Sequence, residues 1–124
     1  MSLAKRKLVA FAATTSAARA RRFYRDTLGL KLVDDNQFAL VFDANGTMLR
    51  VQLVEEVVSP PYTVLGWEVQ DIEATVATLK KAGVKFQKYP GMDQDRAGIW
   101  TSPSGARIAW FKDPDGNTLS VTEF

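Results

Sequence analysis

Arg50, Glu68, Trp100 and Trp110 have the most evident capacity for binding or chemistry in this sequence. A guanidinium holds a carboxylate or phosphate through two parallel hydrogen bonds. A carboxylate kept from water serves as a general base. An indole offers a flat apolar face for stacking. Asp113, Asp115 and Asn117 bring further oxygen donors close together. Within a turn such side chains bond local backbone N–H groups more often than calcium, so a structural role is expected of them. The chain contains no His and no Cys. Imidazole and thiolate are therefore absent as metal ligands, and there is no disulfide framework. No second catalytic group accompanies Glu68, and no catalytic residue is assigned.

A pattern that occurs twice positions these residues. Asp43-Ala44-Asn45-Gly46 leads into Thr47 to Val51, and Asp113-Pro114-Asp115-Gly116 leads into Asn117 to Val121. Both read as tight turns opening into a strand, and Asn-Gly is a strong hairpin signal. A duplicated unit implies a pseudo-symmetric fold with a site between the copies. Leu8 to Thr14 is a short apolar run that reads as a buried strand. Thr15 or Ser16 caps a helix over Ala17 to Thr27, with Phe23, Tyr24 and Leu28 as its apolar stripe and Gly29 as its stop. Strands are expected over Lys31 to Asp34, Ala39 to Asp43 and Thr47 to Val54. Glu55 to Pro61 is a linker stiffened by Pro60 and Pro61.

The pattern then restarts with a strand over Thr63 to Val69 and a helix capped by Asp71, ending near Ala82 before Gly83. Phe86 to Lys88, Gly98 to Thr101, Ala106 to Lys112 and Leu119 to Phe124 read as the remaining strands. Pro90 to Ala97 is a polar loop, and an insertion there accounts for the drift in spacing between the halves. The expected fold is α+β, with βαβββ modules over 5–54 and 62–124 and a linker over 55–61.

Two βαβββ modules of this size resemble the vicinal oxygen chelate superfamily. So do Phe23-Tyr24 with Leu28-Gly29-Leu30 in the first module and Asp113-Pro114-Asp115-Gly116-Asn117 in the second. That superfamily includes glyoxalase I, fosfomycin and bleomycin resistance proteins, and extradiol dioxygenases. The resemblance covers nearly the whole chain. It implies a single glyoxalase-like domain whose sheets curl into a half-open β-barrel with a ligand-binding cleft. It also implies a homodimer. In the enzymes it implies a divalent metal, held by His and Glu on the first and last strand of each module. Those positions correspond to Val9, Arg50, Val64 and Ser120. None carries imidazole, carboxylate or thiolate, and a serine hydroxyl is a poor donor. The family fold without the family metal site is therefore expected, with no cofactor.

Side chains alternate along a strand, so residues two apart share a face. The cleft is thus expected to be lined by Val9, Phe11, Arg50, Gln52, Val64, Glu68 and Ser120, with Met48 as packing beside Arg50. Trp110 is expected to point inward if Phe111 packs on the helix side, and Trp100 lies on a neighbouring strand. Trp67 falls on the opposite face, in the core. An aromatic and aliphatic lining with a few polar groups suits a small molecule. Three readings of Arg50 fit the sequence. It pairs with Glu68 as a structural link, because a buried charge needs a partner; it anchors an anionic ligand; or it faces outward.

The 124 residues are 46% hydrophobic and 24% charged, as in an ordinary soluble globular protein. Basic residues cluster only at Lys5-Arg6-Lys7 and as Arg19, Arg21, Arg22 and Arg25, the latter read as a solvated helix face. With a net charge of +2, no nucleic-acid partner is expected. No apolar run reaches the roughly 18 residues of a membrane span. The lack of Cys fits the cytoplasm. The leading functional reading is a metal-independent protein that sequesters an aromatic or amphipathic small molecule in the cleft. A lyase, isomerase or dioxygenase of the glyoxalase type is the alternative, disfavoured because that chemistry relies on a metal to polarise substrate oxygens. A ligand-sensing or partner-binding module is the third reading.

Overall fold

Ser16 separates the first strand from the first helix. It follows β1 (Val9–Thr14), and its hydroxyl accepts from the Arg19 N–H at 3.3 Å, satisfying a donor the helix start leaves open. In the computed structural model, which describes residues 2–124, α1 (Ala17–Arg21) then widens into a π-helical turn over Arg22–Thr27. The expected helix over Ala17 to Thr27 is thus α-helical only in its first part. The wider turn is closed by the Leu28 N–H donating to the Phe23 carbonyl at 2.9 Å. Tyr24, on that turn, is fully buried, its ring centroid 5.7 Å from that of Phe42. Gly29 ends the element at φ +79°, a conformation glycine adopts without steric cost.

The sheet that follows holds β2 (Lys31–Asp35), β3 (Ala39–Ala44) and β4 (Thr47–Leu53), in the order β1-β4-β3-β2 with β1 parallel to β4. Asn45 and Gly46 both have positive φ, at 52° and 93°, as a two-residue type I′ hairpin requires. Asp43 supports that hairpin by accepting from the Gly46 N–H at 2.8 Å. Ala12, Leu40, Phe42, Leu49 and Val51 form the buried face, with Ala20 and Tyr24 also buried.

β5 (Thr63–Glu68), α2 (Ile72–Lys81), β6 (Trp100–Thr101), β7 (Arg107–Lys112) and β8 (Thr118–Glu123) repeat the arrangement, in the order β5-β8-β7-β6. Asp71 caps α2 by accepting from the Ala74 N–H at 3.0 Å, and Glu123 accepts from the Ile72 N–H at 3.0 Å. Both carboxylates suit the positive end of the helix dipole. Ile72 and Val76 of α2 are buried, as are Ala109, Phe111, Leu119 and Val121 of the two strands on which α2 packs.

The second module departs from expectation in three places. Phe86 to Lys88 is not a strand: Phe86 alone bridges to Phe111, their rings 5.5 Å apart. β6 takes the position of β2 with only two residues. Much of the hydrogen bonding nearby is held by the polar loop instead. Gln94 accepts from the Tyr89 N–H at 2.7 Å and donates to the Gln87 and Gly98 carbonyls at 2.9 Å. Asp95 accepts from the Ala97 and Ile99 N–H groups at 2.9 Å. Finally, β5 carries a bulge, so that Thr63 pairs with Thr118, Leu65 pairs with Leu119, and Val64 is the extra residue.

The chain divides into two compact units, one through Val57 and one from Val58. Ser59 ties the linker end into the second unit by donating to the Asp115 carbonyl at 3.0 Å. Three of the four helical arginines have partners within the first unit: Arg19 on Thr15 at 3.0 Å, Arg21 on Asp35 at 2.6 Å and Arg25 on Asp26 at 2.8 Å. No helix among the described residues is long and apolar enough to cross a membrane.

Candidate functional site

The open face of the first sheet follows from its register. Val9 lies opposite Met48, Phe11 opposite Arg50 and Ala13 opposite Gln52, while Val41 flanks Arg50 on the other side. Val9, Phe11, Arg50 and Gln52 therefore share one face, as expected, and Met48 joins them. It is the face away from Leu49 and Val51, and it is open: Phe11 is 52% exposed and Met48 43%. Towards the hairpin this face forms a depression of about 250 Å³, to which Lys7, Leu8, Val33 and Asp43 also contribute. Arg50 is half-buried and, among the described residues, has no ion pair or side-chain hydrogen bond within its own module. A cation without a partner on an apolar surface is suited to a carboxylate carried by an apolar body.

The second sheet presents a different face. Gly66 lies opposite Ser120 and Glu68 opposite Thr122; on the other side Trp110 lies opposite Ser120 and Ile108 opposite Thr122. Trp100 pairs in turn with Ile108. Glu68, Trp100, Trp110 and Ser120 are thus brought to one face. The Trp110 ring sits 6.1 Å from that of Trp100, tilted by 36°, and 5.8 Å from that of Tyr89, edge-on at 81°. Its indole N–H donates to the Thr63 hydroxyl at 3.2 Å. Thr63 is on β5 and Trp110 on β7, with β8 between them. Neighbouring strands are about 4.8 Å apart, so the indole must lie across β8 to make that bond. Thr118 and Ser120, two of the β8 residues on this face, are buried to 5% and 6% exposure. Burial pushes the Tyr89 phenol above its usual pKa.

Three residues of this face were not singled out from sequence. Tyr89 follows from the Gln94-pinned loop, for which the sequence shows only polarity. Thr63 takes the place expected of Val64 because of the bulge, which leaves no local signal. Gly66 shares the face of Glu68 by alternation, but a glycine has no side chain to mark it.

Trp67 shares its face with Val121, away from the open one, as expected, but it is half-buried rather than part of the core. Glu68 is exposed, and its neighbour across the sheet is Thr122. Neither Arg50 nor Glu68 is fully buried, so the argument that a buried charge demands a partner does not apply to them. The second turn is internally satisfied. Asp113, 5% exposed, accepts from the Asp115 and Asn117 N–H groups at 2.9 Å and from the Asn117 side-chain amide at 2.8 Å. Its oxygens serve the turn, as the sequence reading anticipated.

The residues at the metal positions implied by the resemblance do not fit a divalent cation. Val9, Val64 and Arg50 offer no donor, the bulge substitutes only the Thr63 hydroxyl for Val64, and Ser120 offers a neutral hydroxyl. Among the described residues no three Asp or Glu side chains gather elsewhere as an alternative.

A sequence model of the "Glyoxalase/Bleomycin resistance protein/Dioxygenase superfamily" matches residues 8–121. No protein of curated function matches the chain. Among solved structures, a superfamily member from Sphaerobacter thermophilus is 28% identical, with 94% of this chain and 97% of that one covered at a TM-score of 0.71. A glyoxalase/bleomycin resistance protein/dioxygenase from Alicyclobacillus acidocaldarius is 19% identical over 97% and 92% of the two chains, at 0.72. A glyoxalase family protein from Enterococcus faecalis is 20% identical over 98% and 100%, also at 0.72. The last two likenesses concern the fold.

Proposed function

Because this chain belongs to the Glyoxalase/Bleomycin resistance protein/Dioxygenase superfamily, we propose that it binds an aromatic or amphipathic small molecule without a metal. The observation that carries this reading is the Tyr89–Trp110–Trp100 aromatic group on the hydroxyl-lined face of the second module. Stacking and shape suffice for stoichiometric binding, and each aromatic contact adds about 0.5–1.5 kcal/mol beyond area burial. The donor chemistry at Val9, Arg50, Val64 and Ser120 points the same way, since catalysis of the glyoxalase type depends on a metal that polarises substrate oxygens. The open face of the first module, taken by itself, carries apolar surface and the Arg50 cation, which suits an amphipathic anion. A homodimer in the cytoplasm belongs to the same reading, and sedimentation velocity tests the dimer.

Two measurements decide the proposal. Screening aromatic compounds by tryptophan fluorescence should find ligands that perturb Trp100 and Trp110. Replacing both by Phe should abolish that response. A library that leaves the emission unchanged removes the support for a stacking site. Stoichiometric Zn, Ni, Mn or Fe that survives dialysis would overturn the metal-free part.

A further inference from the structure

Ser120 is more than nine-tenths buried, yet its hydroxyl has no hydrogen-bond partner among the described residues. A buried hydroxyl with neither partner nor water carries a cost of about 1–3 kcal/mol, so such groups are almost always satisfied. No fully enclosed side-chain oxygen lacks a partner among the described residues, so the Ser120 Oγ keeps a narrow opening to the outside. The position of that opening is set by Gly66. A Cβ built on Gly66 would stand 2.8 Å from the Ser120 Oγ, closer than real contacts allow. Gly66 does not have a positive φ, so backbone conformation does not demand glycine there. A side chain there would occupy the space beside the hydroxyl and turn the Ser120 Oγ out of its present rotamer. Gly66 is itself exposed, whereas the opposite side of Ser120 faces Trp110, whose indole lies across β8.

We propose that the Gly66–Ser120 notch is the polar subsite of the binding face. In it the Ser120 Oγ hydrogen-bonds an uncharged hydroxyl or carbonyl group carried by an aromatic ring stacked beside Trp110. The inference rests on the functional reading above and specifies its ligand class. Neutrality follows from the neighbours: Thr63, Thr118 and Thr122 surround the position with hydroxyls, and the two charges of this face, Lys112 opposite Thr118 and Glu68 opposite Thr122, are of opposite sign and neither is paired with Ser120. A hydroxyl both donates and accepts, so phenols and aryl ketones are equally served. Trp110 cannot fill this role, because its only donor is spent on Thr63.

The test compares 1-naphthol with 1-methylnaphthalene, the same ring with and without a hydroxyl, by titrating the Trp110 indole N–H signal in two-dimensional NMR spectra. The wild-type chain should bind the naphthol about three- to tenfold tighter, the value of one neutral hydrogen bond. Ser120→Ala should remove that preference and leave methylnaphthalene affinity unchanged. Gly66→Ala should also remove it, by filling the notch. The Gly66→Ala/Ser120→Ala double variant relieves the clash, so it should fold like wild type and still show no preference. Equal binding of the two compounds by wild type, or a preference retained in Ser120→Ala, overturns the notch while the stacking site stands. If neither compound moves the Trp110 signal, the stacking site and the notch fall together.

Discussion

The two modules share one order of strands and present opposite chemistries on their open faces. In the first, Val9, Phe11 and Met48 lie around Arg50, with Lys7 and Asp43 towards the hairpin. In the second, hydroxyls from Thr63, Thr118, Ser120 and Thr122 lie among Tyr89, Trp100 and Trp110. The features common to both serve the backbone: an N-cap (Ser16, Asp71), a glycine stop (Gly29, Gly83) and an aspartate-led turn before the last strand. The contrast teaches that a duplicated frame constrains the residues that end and turn its elements. Those on the free face of the sheet are left to diverge, and binding specificity resides there.

The turns give the largest expected difference between the halves. Asp43 is exposed and accepts from Gly46, whereas Asp113 is buried and accepts from Asp115 and twice from Asn117. Asp113→Ala should therefore destabilise by about 3 kcal/mol, because it strands buried donors. Asp43→Ala should cost about 1 kcal/mol or less, since water replaces the lost acceptor. Urea denaturation of the two variants measures both. Equal losses would mean that the turns, alike in sequence, are also alike in energy.

Arg50 tests the faces themselves. Arg50→Met should leave stability within about 0.5 kcal/mol, because the guanidinium has no partner in its module. It should weaken binding of an aromatic carboxylate such as 1-naphthoate by about 1.5–3 kcal/mol and leave 1-naphthol affinity unchanged. A stability loss well beyond that limit, matched by Glu68→Gln, would instead reinstate the ion pair as the role of Arg50.

How far these contrasts were legible in the sequence depends on the range of the interactions that set them. Asn45-Gly46, Ser16, Asp71, Gly29 and Gly83 act on their immediate neighbours, so element order and the faces of β1, β4 and β8 could be read directly. The π-helical turn at Arg22–Thr27 could not, because its composition is equally that of an α-helix. Phe86 to Lys88 has the residues of a strand but lacks a ladder, since the following loop is held by Gln94 and Asp95 rather than by strand pairing. The bulge that exchanges Val64 for Thr63, and the close approach of the Ser120 Oγ to Gly66, are set by β8, more than fifty residues away.

Gln94 belongs to the second module alone and gives the next effect in size. Gln94→Ala removes three part-buried hydrogen bonds and should cost about 2 kcal/mol. It should also release Tyr89 from Trp110, visible as a weaker near-ultraviolet circular dichroism signal. A variant that keeps the signal would show that the aromatic group holds the loop, and not the reverse.

The smallest effect is a pH dependence. Burial holds the Tyr89 phenol above its ordinary value of 10.0 in the folded chain, whereas in the unfolded chain it ionises near that value. Over the alkaline interval between the two, the folded state binds the extra proton, so stability falls as pH rises. Tyr89's contribution is fully present below pH 10 and is lost as pH climbs through the raised folded value. Tyr89→Phe keeps the ring against Trp110 and removes the ionisation. Its stability should track the wild-type value near neutral pH and fall less steeply above pH 10. Tyr24, buried in the first module, is present in both proteins, so the difference between their pH profiles isolates the second module's aromatic group. Parallel profiles across the alkaline range would mean that Tyr89 meets water as freely when folded as when unfolded, and that the face around Trp110 is more open than its ring contacts indicate.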